Sequence, residues 1–167
     1  MYDELTKVDI EKMEEEIRYR TTELRPKLIE DVKVAREFGD LSENFEYKVA
    51  KRDKNRNESR IRYLERMVKT AKLVETEPES AGITLFDKVE FYIEEDDETE
   101  HVQLVTAMRQ NAMEGLITRN SPLGKAIWGK NVGDRVLIET ESGYSYYVKI
   151  LSVEHGEDDA DLPILTY

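Results

Sequence analysis

One apolar stripe constrains the N-terminal half of this chain more than any other feature. Ile10, Met13, Ile17, Leu24, Leu28, Val32 and Ala35 follow one another at steps of 3, 4, 7, 4, 4 and 3. That is the recurrence of a helix with a single inward face. Pro26 removes one backbone donor inside the run, and because the stripe keeps phase across it a bend is expected rather than a break. Gly39 then supplies a left-handed stop. A second helix-patterned segment follows over about residues 44–75, with Ile61, Leu64, Val68 and Ala71 facing the first. Two helices of about thirty residues joined by one turn make an antiparallel hairpin, an arm on the order of 45 Å long at 1.5 Å per residue.

The arm is not uniformly apolar. Between Val49 and Ile61 the second helix offers a seam of Arg52, Arg56 and Asn57 with little apolar content. A polar seam weakens an antiparallel pair, so good packing is expected only near the base of the arm. The tip half is expected to be kept for something besides stability.

Beyond residue 76 the pattern changes. Residues 77–82, within TEPESAG, read as a linker, and alternation replaces the helical period. Val89, Phe91 and Ile93, then residues 101–105, 136–138 and 146–151, read as short strands. Turns are expected in the acidic run 94–100 and at Ser142-Gly143. One short helix is expected over 122–128, with Ser121 as N-cap, Pro122 at its first position and Gly129 closing it. The fold class is therefore α+β: a long two-helix hairpin over 1–76, then a small antiparallel sheet domain with one short helix over 83–154. Residues 155–167 form an acidic tail, expected to be frayed, with residues 162–167 able to dock.

Composition removes several kinds of chemistry. The chain has 167 residues, no cysteine and two histidines, His101 and His155. Disulfides, thiol catalysis, zinc fingers and histidine-metal clusters are excluded, and a reducing cytoplasm fits. No apolar run is long enough to span a bilayer, and the acidic N-terminus is unlike a signal peptide, so no membrane partner is expected. No Ser/His/Asp set and no phosphate-cradling glycine loop appears, which gives an autonomous enzyme little support. The net charge of −12 argues against broad nucleic-acid binding. Its distribution is uneven, however. Between Lys48 and Lys72 ten Lys and Arg stand against Asp53, Glu58 and Glu65, a net of +7 that leaves −19 for the rest. Pairs such as Glu58 with Arg62 and Glu65 with Lys69 do not use up that excess. The stripe, including Lys48, Lys51, Arg52, Arg56 and Arg60, reads as a contact surface for phosphate or for an acidic protein.

The turn between the helices, GDLSENFEY over residues 39–47, carries two carboxylates, Asp40 and Glu43. Two readings stand side by side. The spacing fits a capping box in which Asp40 caps the second helix and Glu43 reaches back. It also puts two oxygen donors one turn apart, able to share a hard cation such as Mg²⁺, which keeps waters and takes few protein ligands. Two carboxylates alone make a weak site, so the missing ligands would come from a partner.

These residues, with Ala35-Arg36-Glu37 before the turn and Glu58-Ser59-Arg60-Ile61 and Leu64-Glu65 after it, resemble the bacterial Gre transcript-cleavage factors. The segment from Ile117 through Ser121, Pro122, Leu123, Gly124, Lys125 and Ala126 to Asp134 resembles the same family. The likeness runs from about Leu5 to Glu154. It implies an N-terminal antiparallel coiled coil followed by an FKBP-like domain. It also implies binding to the secondary channel of RNA polymerase and stimulation of the polymerase's own cleavage of backtracked nascent RNA, without independent catalysis. By this resemblance Asp40 and Glu43 would hold a Mg²⁺ shared with the polymerase active site and orient the attacking water, with Ser42, Asn44 and Tyr47 supporting the tip. The basic residues Lys48, Lys51, Arg52, Arg56 and Arg60 would face the 3′ end of the nascent RNA or the channel wall, and Ser121 and Pro122 would meet the channel rim. Two alternatives stay open: a channel-binding regulator that does not activate cleavage, and a coiled-coil chaperone or prolyl isomerase built on the sheet domain.

Overall fold

The computed structural model describes residues 3–39, 44–77 and 81–166. It divides into two compact units, one built from Asp9–Ala71 and the other from Glu4–Val8 together with the chain after Ala71. The helical part of the chain comprises α1 (Lys7–Tyr19), a π-helical segment (Arg20–Leu24), α2 (Arg25–Arg36) and α3 (Phe45–Thr70). Next to Pro26, where a bend is expected, the chain forms that π segment. Arg25 N–H donates to the Arg20 carbonyl, five residues back, while Tyr19, Leu24 and Arg25 keep right-handed helical torsions. Pro26, at the second position of α2, has no N–H for the carbonyl four residues earlier, and its ring crowds that oxygen. One extra residue in the turn relieves the conflict without ending the helix. The hydroxyls of Thr21 and Thr22 donate to the Ile17 and Arg18 carbonyls, serving oxygens that a π turn pulls away from their usual donors.

The two helices run antiparallel, as their cross-links show: Glu16 with Arg60, Arg25 with Glu58, and the Ala35 carbonyl with Asn44. Packing along the pair departs from the expected order. Val32, Ala35 and Ala50 form a buried cluster with Tyr47 close to the turn. Met13 on α1 and Ile61, Leu64 and Met67 on α3 are buried farther from it. The polar stretch lies between the two. Arg52 and Arg56 are exposed and do not form the seam expected of them. Its inward positions are Asn57 and Arg60, each 3% exposed, because steps of 7, 4 and 3 from Ala50 bring Asn57, Ile61 and Leu64 to one face. Glu58 does not pair along its own helix with Arg62. It accepts both nitrogens of the Arg25 fork across the helices, at 2.7 and 2.9 Å.

The helix α3 stops at Thr70, short of the expected end, because Ala71 turns to extended torsions. The next two residues, β2 (Lys72–Leu73), pair in parallel with β1 (Glu4–Leu5). Neither strand is legible in the sequence, since two-residue pairs carry no periodicity.

The second unit is built on a five-stranded sheet: β3 (Lys88–Ile93), β4 (Glu98–Val105), β5 (Leu116–Thr118), β6 (Arg135–Glu139) and β7 (Ser145–Glu154), in the order β5-β4-β3-β7-β6. Three of its pairings are antiparallel, as expected. The fourth, β4 with β5, is parallel, which corrects the all-antiparallel reading. The strand β5 is three residues long, too short for alternation to show. Val89, Phe91 and Ile93 alternate into the core with Val102, Leu104, Val136, Ile138, Val148 and Ile150. The helix α4 (Pro122–Ile127) covers them through Ile127, which is fully buried. The tail is docked rather than frayed. Gly156 N–H donates to the Asp87 carboxylate, Leu162 packs on the cluster of Leu85, Phe86, Val105 and Leu116, and Leu165 N–H donates to the Met108 carbonyl. No helix among the described residues is long and apolar enough to cross a membrane.

Candidate functional site

The turn between α2 and α3 is held from both sides. At the end of α2, Glu37 N–H reaches the Val34 carbonyl at 3.1 Å and Phe38 N–H the Ala35 carbonyl at 3.4 Å. Gly39 follows with φ +135°, a torsion L side chains rarely adopt. Asp40, Leu41, Ser42 and Glu43 lie outside the described residues, so the expectations for Asp40, Ser42 and Glu43 have no structural counterpart to compare with. Asn44 is the N-cap of α3. Its side-chain oxygen accepts from Tyr47 N–H at 3.0 Å, and its amide nitrogen donates to the Ala35 carbonyl at 2.6 Å. The N-cap position of α3 thus falls at Asn44. A single side chain satisfies one orphan donor of α3 and gives the last turn of α2 a side-chain donor.

Tyr47, the other residue expected to support the turn, packs in the small cluster beside Val32, Ala35 and Ala50, with the Arg36 guanidinium 5.5 Å from its ring centroid. Hydrogen bonding from Arg36, then the charges of Arg36, Lys51 and Lys54, hold its hydroxyl pKa below the usual tyrosine value. Tyr47 thus stands in a positive field, one helical turn from the segment that carries the two acids.

The basic residues divide into two groups. Lys48, Lys51, Arg52 and Arg56 are exposed on α3, with Arg52 3.5 Å from Asp53. Arg60 does not belong with them. It is 3% exposed, and its fork donates to Glu16 at 2.9 and 3.2 Å, so it cannot present its charge to an outside partner. Glu16 also accepts from Arg20 at 2.7 Å. Burial raises the Glu16 pKa, but the hydrogen bonds from Arg60 and Arg20 outweigh it and the group ends below its ordinary value of 4.5. Sequence reading missed this cluster. The spacing of Glu16 and Arg20 on one helix, facing a polar stretch on the other, was the available signal.

In the second unit Ser121 caps α4 as expected. Its hydroxyl accepts from Gly124 N–H at 3.0 Å and donates to the Thr118 carbonyl at 2.7 Å. Pro122 occupies the first turn. Arg119 stacks over Trp128 with 4.3 Å to the ring centroid, which adds a cationic plane to the same loop. Gly124 is required here, because a β-carbon would stand 2.0 Å from the Thr118 carbonyl oxygen. Among the described residues no group of three or more His, Cys, Asp or Glu is placed to hold a metal.

A long helical hairpin whose turn is closed by an asparagine, carried in one chain with a small α+β sheet unit, defines the class. Two family models match in succession: the N-terminal domain of transcription elongation factors over residues 4–73, and the C-terminal domain of transcription elongation factor GreA/GreB over residues 78–155. The chain is 38% identical over 151 residues to transcription elongation factor GreA of Geobacillus kaustophilus, covering 90% of this chain and 95% of that one. It is 37% identical over 150 residues to GreA of Bacillus licheniformis, covering 89% and 94%. A solved structure titled GreA factor homolog 1 of Thermus thermophilus is 25% identical over 93% of this chain and 100% of its own, at a TM-score of 0.43. The chain belongs to the GreA/GreB family of transcription elongation factors.

Proposed function

We propose that this chain acts as a Gre-type elongation factor on RNA polymerase, bringing the turn of its helical hairpin to the polymerase active centre and stimulating the polymerase's own cleavage of backtracked nascent RNA. The family match across both halves of the chain carries the reading. The hairpin is read as an antiparallel coiled coil, since its inward positions recur at steps of 3 and 4, and the sheet domain as FKBP-like.

Asp40 and Glu43 supply two carboxylates within four residues, oxygen donors that suit Mg²⁺ but number too few to hold it alone. They fit a metal shared with a partner that provides the remaining ligands. When bound, the metal supplies Lewis-acid activation of water and stabilisation of the phosphoryl oxygens. The chain's own part is to carry the two acids and orient them. Asn44 fastens the ends of the two helices to each other beside them, and Tyr47 with Arg36 braces the first turn of α3. Lys48, Lys51, Arg52 and Arg56 lie on the exposed side of α3 and offer charge to the phosphates of the RNA 3′ end or to acidic channel walls. The Ser121–Pro122 loop is the proposed contact with the channel rim. That role would set the protein in the cytoplasm, as an activator of another protein's catalysis rather than an enzyme in its own right.

The test is a cleavage assay on backtracked polymerase complexes. The chain carrying Asp40→Ala and Glu43→Ala should lose stimulated cleavage and still compete with the wild-type chain for polymerase. Full stimulation by that double variant would remove the assignment of the tip.

A further inference from the structure

The interior of the hairpin contains an open ring of four polar side chains that an ordinary helix pair does not need. Glu16 accepts from Arg20 at 2.7 Å on its own helix and from the fork of Arg60 at 2.9 and 3.2 Å on the other. Arg20 donates to the Asn57 side-chain oxygen at 3.0 Å, and the Asn57 amide returns a hydrogen bond to the Arg20 backbone carbonyl at 3.2 Å. That carbonyl also receives Arg25 N–H in the π turn. The ring therefore joins the one irregular turn of the first helical arm to one position on α3. Asn57 and Arg60 are each 3% exposed, and apolar side chains flank the ring on both sides: Val32, Ala35 and Ala50 toward the turn, Met13, Ile61, Leu64 and Met67 away from it.

An apolar seam repeating at steps of 3 and 4 tolerates displacement by one helical turn, because the same kinds of side chain meet again after about 5.4 Å. The polar ring does not. Displacement would bury the Arg60 guanidinium and the Asn57 amide against aliphatic side chains, unpaired, at a large desolvation cost. A buried asparagine used once in a helical seam is a known means of selecting one register at the expense of stability.

We propose that Glu16, Arg20, Asn57 and Arg60 are positioning residues: a register lock that sets where the hairpin turn stands relative to the rest of the arm. Its consequence for cleavage rests on the proposed function, whereas the register does not. Misplacement of a reacting group by 1 Å costs about 100-fold in rate, so a slipped tip is an inactive one.

The chain has no cysteine, which makes engineered pairs unambiguous reporters. Val32→Cys with Ala50→Cys, two positions in one buried cluster, should form a disulfide readily in the native register. In the full chain, replacing Glu16, Arg20, Asn57 and Arg60 together by Leu should leave the melting temperature equal or higher. Disulfide yield should fall at least about threefold and stimulated cleavage about 100-fold. Unchanged disulfide yield would overturn the lock. A fallen yield with full cleavage would overturn its positioning role. If the fourfold variant loses its helical circular dichroism, Asn57→Leu alone decides through the same disulfide. The Asp40→Ala, Glu43→Ala chain should give a normal yield and no cleavage. If that chain still cleaves, the tip assignment fails while the disulfide result stands.

Discussion

Asn44 uses both ends of its amide at the turn, one to start α3 and the other to finish α2. The bond back to α2 needs a donor and the bond to α3 an acceptor, and the amide supplies both. Aspartate keeps the acceptor for Tyr47 N–H but sets a negative oxygen against the Ala35 carbonyl, and alanine loses both bonds. Asn44→Ala should therefore cost about 1–2 kcal/mol of helical-unit stability. Asn44→Asp should recover little of that loss, in contrast to an ordinary N-cap where the two residues are equivalent. Urea unfolding followed by helical circular dichroism checks both. A second residue-scale constraint sits at Gly156, where an added β-carbon would stand 2.1 Å from the Phe86 carbonyl oxygen. The tail can approach that backbone only because no side chain intervenes.

At the scale of the element, the helical unit depends on ion pairs as well as apolar packing, so its stability depends on pH. Hydrogen bonds from Arg60 and Arg20 hold the Glu16 pKa below 4.5 against the opposing effect of burial, and Arg25 does the same for Glu58. A carboxylate with a depressed folded-state pKa contributes stability that is complete above its unfolded value. The contribution is lost as pH falls through the folded one. The midpoint of helical unfolding should hold steady above about pH 5 and drop between about pH 5 and pH 3. Glu16→Gln should be less stable at pH 7 by about 2–3 kcal/mol, since a neutral amide cannot serve two guanidinium groups, and its acid slope should be shallower. A thermal melt series across pH on both chains tests the sign as well as the size.

At the scale of the whole molecule, the C-terminal unit extends past the family match, which ends at residue 155. The tail beyond it is anchored by the buried Arg109, which pairs with Asp158 at 2.6 Å and donates to the Asp159 carbonyl at 3.0 Å. The buried Asp87 carboxylate lies 3.0 Å from His155 Nδ1 and accepts from Gly156 N–H at 3.2 Å. Gly156→Val should displace this strap, uncovering the apolar cluster around Phe86 and opening residues 155–166 to protease, while the five-stranded sheet stays folded. Limited proteolysis with mass analysis distinguishes that outcome from a tail that remains resistant.

Local and periodic features were legible in the sequence. The steps of 3 and 4 defined the helices, and alternation defined four of the five sheet strands. Ser121 and Pro122 marked the start of α4, and GDLSENFEY marked the turn. Each is decided within about a turn or a strand of chain, where propensity and period act directly. The tertiary structure decided what depends on partners distant in sequence. The N-cap of α3 fell at Asn44, whose amide also reaches a carbonyl nine residues earlier. Arg60 turned from a surface cation into a buried one because Glu16, forty-four residues away, lay opposite it. The tail docked because Arg109 and Asp87 were waiting for it, and β5 joined β4 in parallel through backbone bonds that any side chains allow. A charged residue's role is set by whether an opposite charge reaches it away from water, and only the folded chain determines that distance.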